Sequence, residues 1–425
     1  MVGKVKQKKK KLLIYAHYYA PDVASTGQIL KELAEGMLHE FEITVICVVP
    51  SYTGKVADEY RKKMFYREVI NGVNIFRIRV PEFTKSNKLS RVKNILAYFF
   101  GAMLATFKVG KMDYVYSISQ PPILGGLIGV WGKCIKRAKY IYNIQDFNPE
   151  QTMAIDYSKN KFILKMMMWF DKLSCKQSDK VIVVGRDMVE TLKRRFKYHN
   201  VPNNAFINNW TNEKEIYPLP PDHEKIASFK KKYGLENKFV FMYSGNLGLY
   251  YDLENLMTVI HKFKNRDDIA FAFIGEGSIK DKLVSYKEEN GLNNVKFIPY
   301  QDKEDLIYSL NAGDVHWCLN AKGIKGVSVP SKLYGIIAAG KPIIAALEEN
   351  SEARLIIEET DCGYVTTPGD YKEIEENINK YISIRNTELF LEKGKKGREH
   401  LINNLTKDVS IQKYIKEIKT VGLGR

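Results

Sequence analysis

The sequence predicts an α/β protein built from two doubly wound, parallel-sheet domains that face a central cleft. Short β-rich runs alternate with longer helical patterns through the first half. The alternation stops at a proline-bearing stretch and then starts afresh. Strands separated by helices make parallel sheets covered on both faces. A chain of 425 residues is long enough for two separate cores. Its 45% hydrophobic and 27% charged content is ordinary for a globular protein.

In the first unit the expected strands are Lys11–Ala16, Ile43–Val49, Val73–Arg79, Tyr114–Ser117, Tyr140–Ile144 and Lys180–Val184. Helical patterns cover Gly27–His39, Ser90–Lys111, Pro122–Arg137 and Lys159–Gln177. Ile207–Asp222 (INNWTNEKEIYPLPPD) has little periodicity and reads as a linker. Beyond it the strands are Phe239–Ser244, Ile269–Ile274, Val295–Pro299, Val315–Cys318, Pro342–Ala346 and Gly363–Val365. The tail from Tyr371 is helical and charged, long enough to cross back over the first unit. The expected division is 1–210, a linker at 211–222, 223–395, and a returning helix at 396–425. Two such units set the carboxyl ends of their strands, where ligands bind, across a shared cleft.

The five cysteines are scattered without CxxC spacing, which excludes a disulfide framework and fits a reducing compartment. The net charge of +17 has two readings: a solvated basic surface, or a polyanionic partner such as an anionic membrane leaflet or a phosphorylated substrate. Nucleic acid is not the expected partner, because the lysines are dispersed and no RNP, helix-turn-helix or zinc pattern accompanies them. The basic N-terminus leads straight into a strand, with no secretory h-region.

The stretch Ile95–Phe107 (ILAYFFGAMLATF) is shorter than the roughly 20 residues a membrane span needs. So is Phe162–Phe170 (FILKMMMWF). Both have basic flanks, which describes interfacial helices dipping into headgroups. Lys93, Phe99, Phe100, Lys108, Lys111 and Trp169 are the expected docking residues. The alternative is a pair of core helices with ordinary polar ends.

The sharpest local signal is GIKGVSVPSKLYGIIAAGKP, from Gly323 to Pro342. Gly326 and Pro330 shape a loop, Ser331 stands at a helix N-cap position, and Gly340 ends the helix before a strand. Helix N-terminal N–H groups suit a phosphate, and Lys332 adds a full charge beside them. A plain loop-to-helix connection with a surface lysine is the competing reading. In the first unit Asp146 follows strand Tyr140–Ile144 and so lies at the cleft edge. It either acts as a base on an acceptor hydroxyl, orients that hydroxyl, or caps the turn at Phe147–Pro149; Glu150 is a second candidate in the same loop.

The segment VPSKLYGIIAAGKPII resembles the donor loop of family 4 glycosyltransferases of the GT-B fold, and is most similar to the bacterial exopolysaccharide and O-antigen branch of colanic-acid type. Further segments follow in the family's order: YYAPDVASTGQILKELA, IQDFNPE, INNW, YSGNLG, IGEGSIKDKL and SEARLI…CGYVTTPGD. The resemblance therefore covers nearly the whole chain. It implies two Rossmann-like domains and retaining transfer of a hexosyl or N-acetylaminosugar from a UDP-sugar or GDP-sugar. The implied acceptor is a polyprenyl-diphosphate-linked saccharide at the cytoplasmic face of the membrane.

The resemblance also assigns places. Ser25, Thr26 and Gly27 match the small loop facing the donor diphosphate or the acceptor, although a tight strand-to-helix turn would look alike. Gly245 and Asn246 match the glycine-rich turn of the second domain. The family's usual arginine and lysine are missing there; Asn246 and the nearby Tyr250 and Tyr251 stand instead, which shifts the phosphate role to Lys332 and Ser331. Gly275, Glu276 and Gly277 resemble the loop bordering nucleotide and sugar. Phe297 to Tyr300 resembles the base-holding segment, with a packed surface aromatic as the alternative for Tyr300. The places of the family's paired glutamates hold Val327 and Gly335. Backbone groups of Gly326, Val327 and Ser328 are then expected to hold the sugar, and Glu352 the ribose. No acidic DxD-type pair stands in the cleft loops, so no essential metal or other cofactor is expected. Two other classes remain: a GT-B nucleotide-sugar epimerase, for which no set of catalytic acids and histidines is visible, and a basic nucleic-acid-binding protein.

Overall fold

The computed structural model describes residues 8–22, 25–84, 87–154 and 160–423. The first sheet has eight strands in the order β3-β4-β2-β1-β5-β6-β7-β8. They are β1 Lys10–Tyr15, β2 Phe41–Val48, β3 Phe65–Ile70, β4 Val73–Ile78, β5 Tyr114–Ile118, β6 Lys139–Ile144, β7 Lys180–Val183 and β8 Asn204–Phe206. All neighbours pair in parallel except β3 with β4. The sequence reading lacked β3 and β8. The β3–β4 hairpin closes at Asn71-Gly72, both with positive φ (49° and 85°), the two-residue turn whose twist suits paired strands.

The helices of this unit are α1 Ser25–Met37, α2 Lys88–Lys108, α3 Leu124–Lys136, α4 Glu150–Ala154, α5 Lys161–Gln177 and α6 Arg186–Arg195. Asn87 and Asn160 cap α2 and α5 by accepting from the first free backbone N–H groups, which sets where those helices begin. Packed between them, α3 lies hard against the tyrosine-rich face of the sheet. A Cβ at Gly129 would sit 2.3 Å from the Tyr140 ring, and one at Gly132 would sit 2.7 Å from Tyr15. Glycine at these places lets the helix approach rings that a side chain would hold off.

The second sheet has six parallel strands in the order β11-β10-β9-β12-β13-β14. These are β9 Phe239–Ser244, β10 Ile269–Ile274, β11 Val295–Ile298, β12 Val315–Leu319, β13 Ile343–Ala346 and β14 Gly363–Thr366. Its helices are α7 Glu224–Lys232, α8 Leu253–His261, α9 Lys280–Glu289, α10 Leu306–Ala312, α11 Lys332–Ala338, α12 Glu352–Thr360, α13 Tyr371–Ile384 and α14 Glu388–Asn404. Helix α14 stays with this unit, burying Leu401 among Leu333, Ile337 and Ile357. Helix α15 (Lys407–Leu423) alone returns to the first unit, placing Ile411, Tyr414, Ile415 and Ile418 in its core.

The stretch expected to be a linker is more firmly held than its composition suggests. Ile207 and Trp210 are buried in the first core, and the Trp210 Nε1–H donates to Glu32 Oε2 at 2.6 Å. Trp210 and Tyr116 both pack edge-on against Tyr414, and the amide of buried Asn143 donates to the Tyr414 hydroxyl at 3.3 Å. Tyr414→Ala should therefore destabilise the first unit by about 3–5 kcal/mol. Hydrogen exchange along β6 checks this: faster exchange there is expected, and unchanged protection would contradict it.

Candidate active site

Doubly wound sheets bind ligands outside the carboxyl ends of their strands, at the point where strand order reverses. In the first sheet that point lies between β1 and β5. Thr26, in the first turn of α1, bridges it by donating Oγ1–H to Gln120 Oε1 at 2.8 Å. Ser25 opens the same helix, and its side chain lies outside the described residues. Gly27 is buried, and a Cβ on it would sit 3.3 and 3.4 Å from the Tyr18 and Asp22 carbonyls.

Gln120 in turn hydrogen-bonds the Asp146 carboxylate. Asp146 is oriented further by its backbone N–H on Ser119 Oγ (3.3 Å) and by the Gln151 amide on Oδ1 (3.2 Å). Burial pushes its pKa up to about 6, with the Gln120 hydrogen bond pulling the other way. Such a group is ionised at neutral pH yet still basic enough to take a proton.

Glu150, the second candidate, is not available. Both its oxygens are held by the guanidinium of buried Arg195. That guanidinium also pairs with Asp171, donates to the Asn148 carbonyl at 2.7 Å, and stacks 4.3 Å from the Phe147 ring centroid. This buried ion-pair cluster holds the loop carrying Asp146, and both Glu150 oxygens are engaged in it.

In the second sheet the reversal lies between β9 and β12. The loops after β9 and β10 are laced together. Gly275 (φ +139°) leaves no room for a Cβ, which would fall 2.0 Å from the Gly245 carbonyl. A Cβ at Gly277 would fall equally close to the Leu247 carbonyl. Leu247 N–H donates to the Glu276 carbonyl at 2.9 Å, while the Glu276 side chain pairs with Lys280 at 2.6 Å.

Lys332 arrives at this point from α11. Its Nζ donates to the Tyr243 hydroxyl at 2.7 Å and lies 4.0 Å and 3.7 Å from the ring centroids of Tyr243 and Tyr251. The Tyr243 hydroxyl in turn donates a hydrogen bond to the Asn246 carbonyl at 2.8 Å. A Cβ on Gly245 would be 3.5 Å from Lys332 Cε, so the glycine turn and the lysine are in contact. Burial pushes the lysine pKa down to about 7, slightly opposed by Cys318. Tyr251 is pushed up to about 12, by burial first and then by the charge of Asp146. One aromatic side chain thus lies beside both the carboxylate of one domain and the cation of the other. Ser331 takes the N-cap position with helical dihedrals and makes no side-chain cap bond.

The loop before α11 crosses the cleft. Asp146 and Ser328 form an antiparallel bridge, with Phe147 N–H donating to the Val327 carbonyl at 2.9 Å. Gly326 N–H donates to Asp187 Oδ2 at 2.8 Å. The Gly326 N–H and the Val327 carbonyl, expected to hold a sugar, therefore join the two domains, and the Val327 N–H is held inside the loop by the Ile324 carbonyl at 3.0 Å. Glu352 is corrected in the same way. One oxygen accepts from Asn208 (2.8 Å) and the other from the backbone N–H and Nε of Arg186 (2.9 and 2.8 Å). It is an interdomain clamp whose side chain is buried away from the cleft surface, at 1% exposure. Phe297 also turns inward, its ring stacked on Phe273 at 5.4 Å. Tyr300 stays 58% exposed at the cleft rim.

Residues 225–404 match the family model described as "Glycosyl transferases group 1". WbjE of Pseudomonas aeruginosa, named as a glycosyltransferase, is 27% identical over 345 residues, covering 78% of this chain and 82% of WbjE. WcaI of Escherichia coli K12, named for colanic acid biosynthesis, is 22% identical over 419 residues, covering 96% and 100%. The crystal structure of HepE from Anabaena with UDP and glucose superposes with a TM-score of 0.68 at 14% identity, covering 97% of this chain and 100% of HepE. The chain is a glycosyltransferase of the GT-B fold.

Several residues of this glycosyltransferase site escaped the sequence reading. Gln120, Arg186, Asp187 and Arg195 sit in no recognisable motif, and their partners are distant in the chain. Tyr251 had a weak signal, since Tyr250 and Tyr251 stand where the resemblance places a lysine, whereas Tyr243, inside strand β9, had none. Among the described residues no cluster of His, Cys, Asp or Glu is placed to hold a metal ion, and no helix is long and apolar enough to cross a membrane.

The buried amine of Lys332 has a consequence for stability. Its folded pKa lies below the ordinary lysine value, so between about pH 7 and that value the unfolded chain binds the extra proton. Wild-type stability therefore gains with rising pH across this window. Lys332→Met removes the titration, so its stability relative to wild type should be greatest near pH 7 and shrink toward pH 10. Urea midpoints of both proteins measure this; parallel curves would count against a buried, proton-poor lysine.

Proposed function

We propose that this glycosyltransferase moves a sugar, with retention at the anomeric carbon, from a UDP-sugar to a polyprenyl-diphosphate-linked saccharide. The reaction serves bacterial surface-polysaccharide synthesis at the inner face of the cell membrane. The observation that carries this reading is the Asp146–Ser328 bridge. It brings the Asp146 carboxylate of the first domain to the loop that delivers Lys332 to the glycine turn of the second. The name of WcaI supports the polysaccharide context, and the UDP and glucose in HepE support the donor class.

In this reaction the bond from C1 to the donor diphosphate breaks while the acceptor oxygen bonds C1 on the same face. Charge grows on the departing diphosphate. Lys332, recharged by that anion, the backbone N–H of Asn246 and those at the start of α1 offset it. Asp146 orients the acceptor hydroxyl and takes its proton. Asp146→Asn should lower kcat by about 100-fold with UDP affinity nearly intact. The acid limb of the wild-type kcat/KM profile near pH 6 should vanish in the variant. A wild-type rate or an unchanged limb removes Asp146 from this role.

The apolar helices support attachment to the membrane surface. Along α2, Val92, Leu96, Phe100, Leu104 and Phe107 are exposed in one helical stripe, and Phe162, Met166 and Trp169 are exposed on α5. Both helices flank α3 on one face of the first sheet. Lys93, Lys108 and Lys111 are exposed at their margins. Phe99, by contrast, packs against the core and leaves the docking set. Charge reversal of Lys108 and Lys111 together should weaken binding to anionic vesicles by roughly tenfold or more. Sedimentation with liposomes tests this, and equal binding would move the docking face elsewhere.

A further inference from the structure

The loops after β1, β2 and β4 are bound to one another more tightly than connecting loops need to be. Asp22 Oδ2 accepts from the backbone N–H groups of Ser51 (3.0 Å) and Tyr52 (3.2 Å). Buried Arg77 donates to the Ala20 carbonyl at 2.6 Å and to Glu68 at 2.7 Å. Gly54 closes the β2 loop onto the segment before α2: Phe83 N–H donates to its carbonyl at 2.9 Å, and a Cβ there would fall 2.1 Å from the Phe83 carbonyl. On this fixed platform stands the Tyr52 ring, 42% exposed. Tyr18 meets it edge-on at 5.3 Å, and His17 stacks behind Tyr18 at 4.2 Å, continuing to Tyr98 of α2 at 4.8 Å.

The rings form a file with a direction. At one end Tyr98 belongs to α2, whose outer face carries the exposed apolar stripe, and Arg91 of the same helix acts on the Tyr18 hydroxyl. At the other end Tyr52 faces the second domain. Tyr52 follows β2 and Tyr300 follows β11, so both exposed rings stand beyond the carboxyl ends of their sheets, and the pKa of Tyr300 is raised by burial and then by Tyr52. Asp146 follows β6 on the same edge of the first sheet as Tyr52.

A rigid loop that holds an aromatic ring outward has already lost the motional freedom that binding would otherwise remove. A flat ring beside carboxylate and hydroxyl groups matches a sugar, which offers a C–H face and a rim of hydroxyls. We propose that Tyr18, Tyr52 and Asp22 form a saccharide subsite for the acceptor, with Tyr300 as its opposite lip. Its ligand is a saccharide of at least two rings, the outer ring reaching Asp146 and an inner ring resting on Tyr52. The inference rests on the transfer reaction proposed above and deepens it by naming the acceptor side.

The test uses the full chain with UDP present on an array of bacterial mono- to tetrasaccharides. Wild type should retain di- and longer saccharides in preference to monosaccharides. Tyr52→Ala should lose at least about tenfold of that binding, and Tyr52→Phe, which keeps the ring, should retain it. UDP affinity by calorimetry should be the same in all three, because Tyr52 lies on the other domain. Equal saccharide binding by Tyr52→Ala, or equal retention of monosaccharides, overturns the subsite while leaving the donor reading intact. Failure of wild type to bind UDP overturns the transfer reading and the subsite with it.

Discussion

The short backbone bridge between Asp146 and Ser328 is the contact on which the rest of the site depends. Each domain could fold around its own core without it. Only this crossing, however, sets the carboxylate of one sheet against the cation-bearing loop of the other. The crossing loop is stiffened by carboxylates that accept from its backbone: Glu348 from Gly323 and Lys325, both at 2.9 Å, and Asp187 from Gly326. Arg186 fastens the second domain again through Glu352 and Glu359. Charged groups are spent here on holding backbone, where a missing partner would leave a buried carboxylate uncompensated.

Desolvation then works in opposite directions on Asp146 and Lys332. It raises the Asp146 carboxyl and lowers the Lys332 amine, bringing both toward neutral pH from opposite ends of the scale. An anionic diphosphate entering between them would restore the proton on the lysine. Its negative charge would also strengthen the basicity of Asp146. Tyr251 lies beside both, with the Lys332 amine 3.7 Å from its ring centroid and the Asp146 charge acting on its hydroxyl. Tyr243 adds a fixed acceptor for the amine, so the lysine keeps its position in either charge state.

The same economy appears in the frame. Arg195 draws Glu150, Asp171, Phe147 and Asn148 around itself and thereby shapes the loop from which Asp146 projects. Asp146 can remain partly solvent-poor and unpaired because its neighbours satisfy one another. On the outer face, helices α2 and α5 bury their small residues against the sheet and expose large apolar ones. That distribution is the reverse of what a solvated helix needs.

By itself the sequence determined the alternation of strands and helices, the tandem of two parallel sheets, and the motif order that marks a GT-B transferase. Those features are local: a run of Val, Ile and Tyr makes a buried strand whatever lies far away, and a glycine beside a strand end makes a tight turn. It also pointed to Gly245 and Asp146, which follow β9 and β6, and to Lys332, which opens α11. Tertiary structure alone decided which carboxylates were free. Glu150 and Glu352 look as available in sequence as Asp146. Their oxygens are consumed by Arg195, by Arg186 and by Asn208, partners 45, 166 and 144 positions away. The Asn71-Gly72 hairpin was legible and was missed, whereas the aromatic box of Tyr243 and Tyr251 was not. Availability of a side chain is a property of its surroundings, and those surroundings exist only once the two sheets have met.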